Sequence, residues 1–186
     1  MFKFNPNINK KIGEFLSPVV DFVHNYLGLS PNFVSGLSFA TGIIASGFIL
    51  SHDLEMGLFI MLISLLLDGL DGPIARRFHY DLKFGEKLDT IMDRSLEIVT
   101  FISLAIAGFV EIKIVILSLV SILLMTSLRD RSRFDPGFKR TVIFLGVFTG
   151  FTFAFNLIFL VNLGGFIINL LILDLDKQQK EDLLSY

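Results

Sequence analysis

The chain has 186 residues, 53% of them hydrophobic, and a mean hydropathy of +0.70, which is more apolar surface than a soluble domain of this size needs and favours a bilayer protein. A net charge of -2 says little as a sum, and no nucleic-acid partner is expected. The lack of cysteine excludes a disulfide framework, a thiolate metal site and a cysteine nucleophile.

Residues 1–30 read as a segment of their own. Ile8, Ile12, Phe15, Leu16, Val19, Phe22, Val23, Tyr26 and Leu27 recur at steps of three and four, with Lys10, Lys11, Glu14, Ser17, Asp21 and Asn25 on the other face. This is the pattern of an amphipathic helix lying on a membrane surface, with an ordinary packing helix as the alternative. The interspersed charges argue against a cleavable signal peptide. Ser30 and Pro31 then form a helix start, a capping hydroxyl followed by proline at the first helical position.

Six apolar spans of roughly 20 residues are expected within 31–174. They run over 32–50, 54–76, 85–109, 113–129, 138–155 and 157–174, and residues 175–186 form a polar tail. The fold class is therefore an all-α integral membrane protein, six transmembrane helices preceded by an amphipathic interfacial helix. With this topology Lys3, Lys10, Lys11, Arg76, Arg77, Lys83, Lys87, Arg129, Arg131, Arg133, Lys139, Arg140, Lys177 and Lys180 share one side, against Lys113 on the other. Such an imbalance places both termini and the loop after the second span in the cytoplasm.

Asp68, Asp71, Gly72 and Ala75 share one face of the second span, and Gly85, Asp89 and Asp93 share one face of the third. A short connection makes the two helices antiparallel neighbours, so four carboxylates converge near the cytoplasmic boundary. An ionised carboxylate deep in a bilayer costs roughly 2.5–3.5 kcal/mol on insertion scales, and clustering adds repulsion. A pair of divalent cations removes the difficulty, and oxygen-only donors suit Mg²⁺ or Mn²⁺. Paired ions are suited to phosphoryl chemistry because they neutralise attacking and leaving oxygens together. His79 reads as a surface residue and not as a ligand. Gly72 and Gly85 leave gaps on the aspartate-bearing faces, Pro73 frees the carbonyl of Gly69, and Arg76 continues the Asp68 face where it can grip phosphate.

The pattern D-x2-D-G-x2-A-R-x8-G-x3-D-x3-D, here Asp68, Asp71, Gly72, Ala75, Arg76, Gly85, Asp89 and Asp93, resembles the CDP-alcohol phosphatidyltransferase family at every signature position. The resemblance implies transfer of a phosphatidyl or archaetidyl group from a CDP-linked lipid to a small alcohol, with release of CMP. It implies that Asp68, Asp71 and Asp89 hold metal, with Asp93 as the general base and a possible further ligand. It also implies that Asp71, Gly72, Ala75, Arg76 and Gly85 bind the nucleotide, and that the protein is a homodimer. Arg129, Arg131 and Arg133 after the fourth span, with Lys139 and Arg140 at the start of the fifth, are either positive-inside residues or a pocket for a phosphorylated acceptor. Similarity to members that use inositol phosphate favours that acceptor, with glycerol 3-phosphate next; the chain lacks a clean R-x-E-R at this position. An intramembrane prenyltransferase and a non-enzymatic divalent-cation transporter are the alternatives.

Overall fold

The computed structural model describes residues 16–80, 82–128 and 139–184, without the side chains of 82–84, 86, 139 and 175–184. All regular elements among them are helical. A run over 16–26, α1, ends in a π-helical turn, Phe22–Tyr26. It is followed by α2 (Pro31–Leu50), α3 (Leu54–Arg77), α4 (Leu82–Ile106), α5 (Ile112–Ser127), α6 (Lys139–Thr149) and α7 (Phe151–Leu184). Pro31–Leu50, Leu54–Arg77 and Phe151–Asp174 are long and apolar enough to cross a membrane, and α5 and α6 are shorter apolar helices. The chain is an all-helical integral membrane protein. It divides into two compact units at Phe109–Val110.

In the first unit, Ser30 caps α2 by accepting from the backbone N–H of Phe33, with Pro31 at the first position, as the sequence suggests. Asp53 caps α3 in the same way through Met56. One face of α2 carries Ser35, Ser38, Gly42, Ala45 and Ser46, all buried. Their spacing of three and four makes a stripe of small residues that lets neighbouring helices come close. Ser38 and Ser64 each donate to the other's backbone carbonyl at 2.8 Å, lacing α2 to α3. The hydroxyls of Ser46 and Thr100 meet at 2.9 Å and lace α2 to α4. A Cβ at Gly42 would stand 2.4 Å from Leu96 Cδ2, and one at Gly57 would stand 2.6 Å from Ile49 Cγ1, so both contacts require glycine as packed. On α4 the charged Arg94 and Glu97 pair with each other, which offsets the cost of burying the Glu97 carboxylate.

α1 docks on the start of α2 and the end of α3. Val20 is buried with Val34 and Ile74, and Leu16, Val23, Leu29, Leu70 and Phe78 pack around them. Arg77 donates to Asp21 at 2.7 Å, and the His24 ring lies 3.7 Å from that of Phe78. Val19, Phe22, Tyr26 and Leu27 remain exposed. The expected apolar face is thus divided: one strip packs against protein and the other is left facing outward. Ile8, Ile12, Phe15, Lys10, Lys11 and Glu14 lie outside the described residues.

In the second unit, Ser118 on α5 donates to the carbonyl of Phe155 on α7 at 2.9 Å, and Asn169 on α7 donates to Met125 Sδ on α5 at 3.7 Å. The break between the last two helices falls at Gly150, not between 155 and 157 as the sequence reading has it. Gly150 adopts φ +89 and its N–H closes on the carbonyl of Gly146 at 2.9 Å, a left-handed helix stop. Gly146 makes the turn possible, because a Cβ there would lie 2.6 Å from the Phe151 ring. α6 has 11 residues as described, about 16 Å of helix, short of a hydrocarbon core of about 30 Å. α7 has 34 residues and continues through 174 to Leu184, where a polar tail is expected.

Candidate metal centre

The lacing of α3 and α4 onto α2 sets the aspartates against one another. Asp68 and Asp71 lie one turn apart on α3, and Asp89 lies on α4. All three are half-buried, and one carboxylate oxygen from each lies within 4.8 Å of the others. Asp93, one turn further along α4, is not one of the three that meet within this distance. It is near enough to Asp71 to act on it electrostatically, as is Arg76. The structure therefore brings together three of the four expected carboxylates, with the fourth beside them.

Asp71 is the best-defined member. Its Oδ2 accepts a hydrogen bond from the hydroxyl of Ser35 on α2 at 2.6 Å, and its Oδ1 accepts from the backbone N–H of Gly72. α3 runs as one helix through Pro73. Ala75 is half-buried and Arg76 is exposed, at the open end of the same helix. Gly85 is half-buried, and the one described atom within 4 Å of a Cβ built there is Asn32 Oδ1, at 3.7 Å. Space on this face of α4 is bordered by Asn32 and otherwise open among the described residues. His79 has φ +57 just past the end of α3 and is not part of the carboxylate group.

The basic residues are less fully described. Arg140 is the second residue of α6 and is 5% exposed. Lys139 opens that helix. Arg129, Arg131 and Arg133 lie outside the described residues.

Ser35 and Asn32 escaped the reading of the sequence. The available signal was the run of small and polar residues at helical spacing in α2, which continues to the end nearest the aspartates. A serine in an apolar span reads by itself as helix-packing glue.

The donor set fits a divalent cation. It offers hard, anionic oxygens from two helices, with no softer ligand in the group, as Mg²⁺ and Mn²⁺ require. Carboxylates on facing helices are a recurrent way of holding such ions.

A helical membrane protein with a carboxylate cluster between two of its helices, fit to hold a cation, is the class that the fold and site define. A sequence profile of the CDP-alcohol phosphatidyltransferases matches residues 28–173, and the chain belongs to this family of transferases of substituted phosphate groups. It is similar to the archaetidylinositol phosphate synthase of Methanothermobacter thermautotrophicus, with 28% identity over 131 residues, 68% of this chain and 67% of the relative. It is also similar to the bifunctional IPC transferase and DIPP synthase of Aquifex aeolicus, with 32% identity over 100 residues, 53% of this chain but 22% of that much longer protein. The fold matches that of Mycobacterium tuberculosis phosphatidylinositol phosphate synthase with CDP-DAG bound, at a TM-score of 0.70 and 16% identity, covering 84% of this chain and 92% of that one. The same synthase in complex with manganese and citrate matches with a TM-score of 0.69 and 17% identity, covering 82% and 86%.

Proposed function

We propose that this protein transfers the phosphatidyl or archaetidyl group of a CDP-linked lipid to a hydroxyl of a small phosphorylated alcohol, releasing CMP. The observation that carries this reading is the convergence of Asp68 and Asp71 with Asp89 across two helices. Inositol phosphate is the favoured acceptor and glycerol 3-phosphate the next. The archaetidylinositol phosphate synthase relative supports that order.

In this reading Asp68, Asp71 and Asp89 hold two ions of Mg²⁺ or Mn²⁺, with Asp93 as a further ligand to the pair. A manganese-containing relative of the same fold supports the choice of metal. The bound ions supply electrostatic stabilisation of charge on the attacking and leaving oxygens. Asp71, Gly72, Ala75 and Gly85 form the bed of the cytidine nucleotide, the small residues leaving room for it, and Arg76 pairs with the diphosphate. Asp93 takes the proton of the acceptor hydroxyl as that oxygen bonds to the lipid-side phosphorus. The bond from this phosphorus to the CMP oxygen breaks, and CMP leaves with the electron pair. Arg129, Arg131, Arg133, Lys139 and Arg140 hold the phosphate of the acceptor.

The same reading assigns six spans, with residues 31–174 as the catalytic domain. Both termini, the tail 175–186 and the active site face the cytoplasm. Residues 1–30 lie at the interface, with Val19, Phe22 and Tyr26 turned to lipid. The working unit is a homodimer. Family membership favours this chemistry over a prenyltransferase or a transporter. The test is CMP release by the full chain in detergent with Mn²⁺ and CDP-diacylglycerol or its ether analogue. Inositol phosphate, glycerol 3-phosphate, serine and free inositol are supplied in turn as acceptors. Turnover that depends on metal and on a phosphorylated acceptor is expected; no CMP from any acceptor would overturn the proposal.

A further inference from the structure

We infer that Ser35 is a positioning residue for the metal centre: its hydroxyl holds the Asp71 carboxylate in the orientation from which it binds the cation. The inference rests on the reading of Asp68, Asp71 and Asp89 as metal ligands and concerns a residue outside the aspartate motif, on a different helix.

Ser35 is 7% exposed, and its Oγ lies 2.6 Å from Asp71 Oδ2 and 3.1 Å from the backbone carbonyl of Pro31. A hydroxyl has one proton to donate. The nearer acceptor is also the charged one, so the proton goes to the carboxylate. The carbonyl of Pro31, one turn back on the same helix, is the more distant, uncharged competitor for that proton. Asp71 Oδ1 is already held by the backbone N–H of Gly72, so it is the other oxygen, Oδ2, that the Ser35 hydroxyl fixes. Asp68 and Asp89 crowd Asp71, each with an oxygen within 4.8 Å of one of its own. Without a donor on Oδ2, only the Gly72 contact on Oδ1 is left among the hydrogen bonds described, and repulsion from the neighbouring carboxylates would pivot Oδ2 away when no cation is present. With Ser35 in place, Oδ2 is committed to the hydroxyl and the carboxylate plane is set before metal arrives.

Ser35 is itself fixed. Ser38, one turn along the same face, is tied into α3 by the reciprocal bonds with Ser64. The register of α2 against α3 that places Ser35 opposite Asp71 is therefore enforced from within the membrane span. Because Ser35 is buried, water has little access to replace its hydroxyl. Partners that orient metal ligands in this way typically change metal affinity by about 10–100-fold when removed.

The experiment is Mn²⁺ binding to the full chain in detergent, read from the loss of the free-ion electron paramagnetic resonance signal. Wild type, Ser35→Ala, Ser35→Thr and Ser35→Cys are compared, and each variant's melting temperature is also taken in chelator. Ser35→Ala is expected to weaken Mn²⁺ binding at least 10-fold while Ser35→Thr, which keeps the hydroxyl, stays within about 3-fold of wild type. A merely structural role would lower the melting temperature in chelator and leave Mn²⁺ affinity unchanged, and that result overturns the inference. If Ser35→Ala does not fold, Ser35→Cys decides: wild-type affinity with this weak donor overturns the inference, and weakened binding supports it. Wild type that fails to bind Mn²⁺ would instead sink the metal reading on which the inference rests.

Discussion

Replacing Asp89 by asparagine separates what the carboxylates do for function from what they do for stability. Oxygens of Asp68, Asp71 and Asp89 lie within 4.8 Å of one another. At that spacing each ionised pair repels by about 3.5 kcal/mol at an effective dielectric of about 20, and by about 0.9 kcal/mol at that of water, about 80. Asp89→Asn removes two of the three pairs, so relief lies between about 2 and 7 kcal/mol before losses. Asp89 also has an interaction of its own, whose loss would offset part of this relief. A net gain of about 1–2 kcal/mol in the absence of metal is the expected outcome, which for a chain of this size raises the melting temperature by roughly 2–8 °C. The assay is thermal unfolding in detergent, in chelator and in saturating Mn²⁺. Wild type should start lower and climb with Mn²⁺, because a ligand that binds the native state stabilises it. Asp89→Asn should start higher, gain little from Mn²⁺ and release no CMP. A variant that melts lower in chelator yet keeps the full Mn²⁺ gain would refute the reasoning, since Asp89 would then be a structural residue.

Asp93→Asn should cut CMP release by about 10²–10⁴-fold, the range of a lost general base, while a reduced Mn²⁺-induced rise in melting temperature persists because three of the four proposed ligands remain; complete loss of that rise would reassign Asp93 as chiefly a ligand. Gly85→Ala should stabilise α4 by up to about 1 kcal/mol through helix propensity, its Cβ meeting Asn32 at an ordinary 3.7 Å, yet raise KM for the CDP-lipid by filling the nucleotide bed. Unchanged KM in the same variant would remove Gly85 from the site. Gly57→Ala, whose Cβ would stand 2.6 Å from Ile49 Cγ1 and 3.0 Å from the backbone carbonyl of Ala45, should destabilise by about 1–3 kcal/mol in thermal unfolding, with Mn²⁺ affinity in the folded fraction unchanged.

The aspartates were legible in the sequence because their spacing is the spacing of a helix face, and because a short connection leaves two helices no choice but to lie side by side. The start of α2 was legible for an equally local reason, a capping serine followed by proline. The last two helices were not. Hydropathy is high on both sides of Gly150, so the apolar run shows no seam. A glycine within such a run reads as a packing residue until its φ is known. α1 shows a different loss. Leu16, Val19, Phe22, Val23 and Tyr26 all belong to the apolar face read from the sequence, but the docking partners Val34 and Ile74 select Leu16 and Val23, with Val20 from outside that face, and leave Val19, Phe22 and Tyr26 exposed. With apolar residues on both strips, periodicity marks the helix but not which side is turned to protein. Ser35 was hidden because its meaning depends on the register of α2 against α3, which tertiary contacts such as the Ser38–Ser64 exchange establish.

The most direct test of the account is a crystal of the protein grown with Mn²⁺, measured near the manganese absorption edge. An anomalous peak bonded to oxygens of Asp68, Asp71 and Asp89, at about 2.0–2.2 Å as hard octahedral ions require, is the predicted result. Occupied manganese elsewhere in the molecule, with these three side chains bare, would contradict it.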